Sequence, residues 1–505
     1  MRAAALAALV LFSACTQARS TPVAVATSVG ATSSSKPTTS AATTTITATT
    51  ATTTPTTPAP RITSTSTTVP IPAVTGSTES TDTLFPDLGN GGYDVRHYTL
   101  EVDWNPADKL LTGTTTVEAN ALAPLASYSL DLAGFTVSQV TVDGAVTPFD
   151  RVGDELIITP TKAVSGRFTT TVSYSGEPTF GRDSANRGLG WVSTTKGSYV
   201  LAEPGGAHHW FACNDHPSDK ATYTIIVTVP ESLSAVANGK LVSQTPGRFV
   251  YEAVDPMATY LVNVVTGRYV VTQATGPHGL VLTQVDPVDR AERGDFLPIT
   301  SEMLAYFETL IGPYPLERYG IVLADSIRGV AMESQTLSMF AAGDMDGGRG
   351  DDELFLAHEL AHQWFGNAVT LGRWQDIWLN ESFATYGEWL WSYRNDPARL
   401  EAIAETFRRS SASDRRQAGS TGTPKVDSLF GRTVYNGGAV VLHALRKHVG
   451  DGVFFSILRT WVDTYSGKSA TTQDFVALAS QVTGNDLSAF LTTWLESPTL
   501  PPFPA

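Results

Sequence analysis

Two histidines four residues apart, His358 and His362 in the stretch HELAHQWFGN, carry the clearest chemical content in this sequence. On a helix that spacing stacks two imidazoles on one face, one turn apart, so both can reach a single ion. Glu359, beside the first histidine, would lie next to such an ion rather than on it, where a carboxylate can take a proton from water. Glu381 follows 19 residues after His362, in WLNESFATYGEW, early in a second predicted helix. Two imidazoles and one carboxylate leave a fourth coordination position open, which is the donor set of a catalytic rather than a structural site. Two nitrogens and one oxygen suit Zn2+, one per chain.

Other residues could support that set. Glu388 is seven residues beyond Glu381, on nearly the same helical face, and could orient a histidine through its second ring nitrogen; Asp376 is a rival for that role. His208 and His209 are adjacent in a predicted strand or loop, so their side chains should diverge, which argues against a second metal site.

The elements that must hold these residues follow from periodicity. YTLEVDW at 98–104 alternates, putting Tyr98, Leu100, Val102 and Trp104 on one face, and the pattern returns in LIITP, RFTTTVSYSG, TYTIIVTVP, RFVYEAV and YLVNVVTGRYVVTQ. Residues 85–285 therefore read as a mostly antiparallel β domain. From 286 to 505 the texture becomes helical, as in FLPITSEMLAYFETLI, DELFLAHELAHQWF, NESFATYGEWLWSYR and AVVLHALRKHV, and the metal-binding pattern sits there. The expected fold class is α+β multidomain.

Ahead of these, residues 1–19 read as a signal peptide, with one arginine, a short apolar run and small residues after it. FSAC at 12–15 resembles the lipobox of bacterial lipoproteins, with Phe12 where leucine is usual, so the chain is expected to be exported and lipid-anchored to the outer face of the membrane through Cys15, or otherwise secreted. Residues 20–84, almost entirely Thr, Ser, Ala, Pro and Val, cannot bury enough apolar surface to offset their ordering entropy and read as a tether. A net charge of −15 spread along 505 residues excludes nucleic acid as a partner. The two cysteines, Cys15 and Cys213, leave no room for a disulfide framework.

HELAHQWFGN followed by WLNESFAT resembles the zinc aminopeptidases of the aminopeptidase N type, a gluzincin family, and the likeness runs through most of residues 85–500. EPGGAHHWFACNDHPSDKATY at 203–223 is similar to a family stretch in the β domain, and GVAMESQT at 329–336 stands where the family has GAMEN, with Val330 and Ser334 in place of its glycine and asparagine. The resemblance implies a thermolysin-like catalytic domain and a single zinc. It also implies that Glu333 and Glu203 bind the free α-ammonium of a peptide substrate and that Tyr435, in RTVYNGGAVVLHAL, donates to the oxyanion. Two carboxylates at a set distance from the metal would let only the first peptide bond reach it. The expected activity is removal of single N-terminal residues from peptides with a free N-terminus, with Glu359 as general base. The rival readings are a zinc endopeptidase with the same site, a tethered binding protein whose site is degenerate, and the epoxide hydrolysis known in one branch of the family. The chain ends about 120 residues after the ligands, without the family's large C-terminal helical domain, so a more open site admitting longer peptides is also expected.

Overall fold

Alternating apolar residues make the longest strands. In β1 (Tyr93–Asn105), Tyr98, Leu100, Val102 and Trp104 are all buried, as their spacing predicts. Each such side chain removed from water stabilises by about 1.5–3 kcal/mol. The computed structural model describes residues 72–182, 187–290, 294–326, 329–345 and 350–504. The expected signal peptide, Cys15 and most of the expected tether lie outside the described residues.

β1 is followed by β2 (Leu110–Asp131), β3 (Thr136–Val142), β4 (Val164–Gly176), β5 (Ser198–Leu201), β6 (Ala221–Thr228), β7 (Lys240–Thr245) and β8 (Arg248–Met257). Apart from β5 these strands lie in one large sheet in the order β7-β8-β6-β1-β2-β4-β3. Its pairings along this path are antiparallel except between β6 and β1, where Thr222 faces His97 in parallel register. β5 belongs to a second, smaller sheet with Gly188–Ser193 and Val264–Gly267.

The second half is not helices alone. β9 (Tyr269–Thr275), β10 (Val281–Pro287), β11 (Tyr319–Ala324), β12 (Ala331–Met332) and β13 (Ser338–Ala341) form a mixed sheet in the order β9-β10-β11-β13-β12, with β10, β11 and β13 parallel. β11 and β13 are buried along their whole lengths, as parallel strands covered on both faces are. The helices of this half are α1 (Leu297–Ile311), α2 (Asp351–Ala361), α3 (Trp378–Ser392), α4 (Pro397–Ala418), α5 (Tyr435–Val449), α6 (Asp451–Tyr465), α7 (Thr472–Thr483) and α8 (Ser488–Glu496), of which α1 and α2 pack on this sheet. The chain is thus α+β, a β-rich half followed by a helical half built on a small mixed sheet.

Two expectations need correction. Ordered chain begins before residue 85: Val74 and Thr75 pair with β2, and Asp82, 2% exposed, accepts from the backbone of Leu84, Phe85 and Trp374. A buried carboxylate needs such donors; two are local, two and three residues on, and the third, Trp374 N, is 292 positions away, out of reach of any local pattern. His208 and His209 do not diverge. They sit in a 3-10 turn, Ala207–His209, with ring centroids 4.4 Å apart, because consecutive residues on a helical turn do not point to opposite sides as strand residues do.

Candidate active site

α2 carries His358 and Glu359 and ends at Ala361, so His362 caps it. Beyond it the chain turns sharply at Gly366, whose φ of +124 lies in the region that favours glycine, and where an added Cβ would meet His362 Nδ1 at 3.2 Å. The returning backbone satisfies the open end of the helix: Asn367 N donates to His362 O and Ala368 N to Gln363 O. Lys220, reaching across from the β-rich half, donates from Nζ to the carbonyls of Asn367 and Ala368 and so ties the turn after α2 to that half.

α3 packs beside α2 and brings Glu381 onto the two histidines. His358 Nε2 and His362 Nε2 are 3.1 Å apart, and Glu381 Oε2 is 3.3 Å from the first and 3.4 Å from the second. Metal–donor bonds of about 2.0–2.2 Å at tetrahedral angles put neighbouring donors about 3.4 Å apart, so the triangle has the size that one zinc requires. Two imidazole nitrogens aimed at the same point gain nothing from one another, and a shared cation explains why they converge. His362 Nδ1 lies 3.1 Å from the carbonyl of Phe365, which fixes the ring with its N–H on that side and leaves Nε2 as a lone pair. Glu388 stands 3.7 Å from His358 Nδ1, longer than a hydrogen bond but on the side expected for an orienting carboxylate.

Asp376 does not serve that role. Its carboxylate accepts from Thr472 Oγ1 at 2.7 Å and from Arg373 Nε at 3.1 Å, which ties the turn before α3 to the start of α7. Spacing placed Asp376 near Glu381 in sequence, but the 3-10 turn Trp374–Asp376 sends the side chain to these partners instead.

The same cleft is lined by Glu203, Glu333 and Glu359 as well as the three metal-ligand candidates. Glu203 follows β5, and Glu333 follows β12, so the two halves of the chain each contribute one carboxylate. Carboxylate oxygens of Glu203, Glu333 and Glu381 lie within 4.8 Å of one another, as do ligand atoms of Glu333, Glu359 and His362. One oxygen each of Glu203, Glu333 and Glu359 is buried without a hydrogen-bond partner in the protein, a costly arrangement that a cation or an ammonium would relieve.

Electrostatics divides these groups. Burial pushes Glu381 up, yet His362 and His358 outweigh it and hold its carboxyl at about 2, charged and ready to ligate. Burial raises Glu359 to about 7, the range of a group that both takes and returns a proton near neutrality. Burial first, and then the neighbouring carboxylates, push Glu203 well above the ordinary glutamate range, and burial raises Glu333 against the pull of His362. Tyr435, half-buried, stacks on His358 with centroids 5.7 Å apart and planes 8° apart; burial and then Glu381 drive its hydroxyl pKa well up, so it remains an O–H donor.

Tyr435 reaches that position because α5 lies close on α3. A Cβ on Gly438 would fall 1.7 Å from Ser382 Oγ, and Ser382 donates to the Val434 carbonyl at 2.7 Å. The NGG after Tyr435 is therefore a packing requirement that aims the tyrosine. The two departures in GVAMESQT are also accommodated: Val330 is buried with its carbonyl accepting from Ala341 N, and Ser334 Oγ accepts from Asn263 Nδ2 at 2.9 Å. Sequence reasoning missed Arg187, Leu201, Met332 and Phe430, which also line the cleft and carry no motif of their own.

Comparison with known proteins agrees with this geometry. Residues 95–261 match the peptidase M1 N-terminal domain, and residues 297–494 the peptidase family M1 domain. An M1 zinc metallopeptidase from Deinococcus radiodurans, solved in a mutant form bound to a Tyr-Ser-Ala substrate, superposes with a TM-score of 0.77 at 31% identity, covering 84% of this chain and 99% of that one. Aminopeptidase M1-B of Oryza sativa subsp. japonica is 28% identical over 321 residues, which is 58% of this chain and 36% of that protein. Aminopeptidase N of Lactococcus lactis subsp. lactis is 26% identical over 439 residues, 80% of this chain and 51% of that protein. The chain thus spans about a third to a half of the curated relatives it matches.

Proposed function

The chain belongs to peptidase family M1, and from that premise and the geometry of its cleft we propose that it is a zinc aminopeptidase that hydrolyses the N-terminal peptide bond of peptides outside the cytoplasm. The observation that carries the reading is that two carboxylates with unpartnered oxygens, Glu203 and Glu333, share one small cleft with a zinc-sized His358, His362 and Glu381 triangle.

Zinc, held by those three side chains, supplies Lewis acidity that polarises a carbonyl and makes water acidic near neutral pH. The protein's own groups do the rest. Glu203 and Glu333 hold the substrate's α-ammonium, and their burial makes that charge pairing far stronger than it would be in water. With the amine held there, the first peptide bond lies over the three-donor triangle. Glu359 takes the proton of the attacking water and returns it to the departing amine. Tyr435 donates its O–H to the carbonyl oxygen as negative charge grows on it, and such a donor contributes roughly 3–4 kcal/mol to lowering the barrier.

The amine pair separates this reading from an endopeptidase with the same triangle, which has no need of it. A peptide with a free N-terminus should be shortened one residue at a time, and its N-acetylated counterpart should be left intact. Equal cleavage of both would remove the aminopeptidase reading while leaving the metal site in place. Export and lipid attachment at Cys15 remain part of the proposal; labelled fatty acid incorporated into the native chain but not into a Cys15→Ala variant would support the anchor, and absence of label would oppose it.

A further inference from the structure

Glu333 must keep a constant reach to the histidines if it is to select the first peptide bond. It has no helix or long strand to fix it: β12 ends at Met332, and residues 334–337 form a turn closed by Leu337 N donating to the Ser334 carbonyl. Thr336 in that turn has φ +64, a conformation unfavourable for a β-branched residue, so something must over-determine it.

Two carboxamides supply the constraint, both from the segment that carries His362. Gln363 Nε2 donates to the Glu333 carbonyl at 2.9 Å, and Asn367 Nδ2 donates to the same oxygen at 2.7 Å. A carbonyl has two lone pairs, so this one is saturated from two directions and its peptide plane cannot swing. Gln363 Oε1 accepts from Thr336 N at 2.9 Å, so one amide grips both ends of the turn. Gln363 and Asn367 are completely buried, where such bonds are hard to exchange for water. The β-rich half closes the other side: Asn238 Nδ2 donates to the Gln335 carbonyl at 2.6 Å, and Gly239 N donates to Thr336 Oγ1 at 2.8 Å.

We propose that Gln363 and Asn367 are positioning residues that set the register of hydrolysis: by holding the Glu333 backbone to the segment bearing His362, they keep the amine-binding carboxylate at one reach from the metal ligands. The inference rests on the reading of Glu333 as an amine anchor. Neither amide touches substrate. The link between amine site and metal site is a single side chain long, which makes the zinc-binding segment itself the measuring device.

The test is calorimetric binding of three probes to the zinc-loaded full chain: leucine hydroxamate, its des-amino analogue, and its β-amino homologue, in which the amine stands one methylene further away. The wild type should prefer the α-amino probe to the des-amino probe by about a hundredfold, the worth of a buried charge-assisted contact. Gln363→Met and Asn367→Leu should each bind one zinc, bind the des-amino probe as the wild type does, and lose about tenfold of that preference, with discrimination against the β-homologue relaxed by a similar factor. Amide exchange at Thr336 in the metal-free protein gives a readout without zinc: protected in the wild type and in Asn367→Leu, exposed in Gln363→Met. Zinc-loaded variants that keep the wild-type preference would overturn the proposal and leave the amine anchor standing. A wild type that does not distinguish the α-amino from the des-amino probe would overturn the anchor, and the register device with it.

Discussion

Replacing Glu359 by glutamine keeps the size and shape of the side chain and removes its capacity to carry a proton. The carboxylate is 6% exposed, with one oxygen that finds no partner in the protein. General-base catalysis contributes typically 10²–10⁴-fold, so kcat of Glu359→Gln should fall by about that factor, with KM changed little because Glu203 and Glu333, the proposed amine anchors, are untouched. The same substitution should stabilise the metal-free protein. Burial raises this carboxyl from its ordinary value of 4.5 to about 7, so holding it ionised in the folded state costs about 3 kcal/mol. Because the folded value lies above the unfolded one, the wild type carries no penalty below pH 4.5 and loses stability progressively as pH rises through 7; the glutamine variant does not. Thermal melts of the metal-free proteins should therefore coincide near pH 4.5 and diverge by pH 8, the variant melting higher. Zinc content measured alongside should remain one per chain, since Glu359 is not a ligand. A zinc-loaded variant that hydrolyses peptides at the wild-type rate would refute the assignment of the base, and melts that stay superposed at pH 8 would refute the electrostatic account of its environment.

Tyr435→Phe keeps the ring stacked on His358 and removes only the O–H, so kcat should drop by about 10²–10³ with the melting temperature unchanged; a drop within twofold would show that the hydroxyl does not meet the oxyanion. In the β-rich half, His208 Nδ1 lies 2.7 Å from Asp215 Oδ2, both side chains buried, and Thr259 also donates to that carboxylate. Burial pulls the His208 pKa down but Asp215 outweighs it and raises it above 6.5; burial pushes Asp215 up but His208 outweighs it and holds it below 3.8. The charge pairing is therefore complete between about pH 4 and 6.5, and is lost below as Asp215 protonates and above as His208 deprotonates. His208→Gln should cost about 2 kcal/mol in that window and less at pH 9, read as a gap between wild-type and variant urea midpoints that narrows with rising pH; a gap independent of pH would contradict the pairing.

The parts of this molecule that were legible in its sequence are those set by short-range periodicity. A turn of helix puts His358 and His362 on one face whatever surrounds it, and alternation buries Tyr98, Leu100, Val102 and Trp104 wherever the sheet ends up. Glu381 was reachable because it falls early in the next helix along the chain, and that helix packs beside the first. Asp376 was misjudged because the connection between the two contains a 3-10 turn, which rotates a side chain away from the face that spacing alone suggests. The short strands β12 and β13, which present Glu333, have no pattern long enough to read. Gln363 and Asn367 stand inside the most conspicuous motif of the chain, yet their work depends on partners 27 to 34 residues away, and an amide carries no sign of which carbonyl it will meet. Asp82 and Arg187 are further cases of side chains whose surroundings exist only once the chain has folded.

The most direct test of the central claim is zinc stoichiometry of the purified chain and of Glu381→Ala, read together with hydrolysis of an aminoacyl anilide with a free amine. The wild type should hold one zinc per chain, lose hydrolysis to a chelator and regain it when zinc is restored, whereas Glu381→Ala should bind zinc far more weakly and remain inactive at stoichiometric metal. A wild type that hydrolyses the anilide fully after its metal has been stripped, or that stays inert with one zinc bound, would contradict the account.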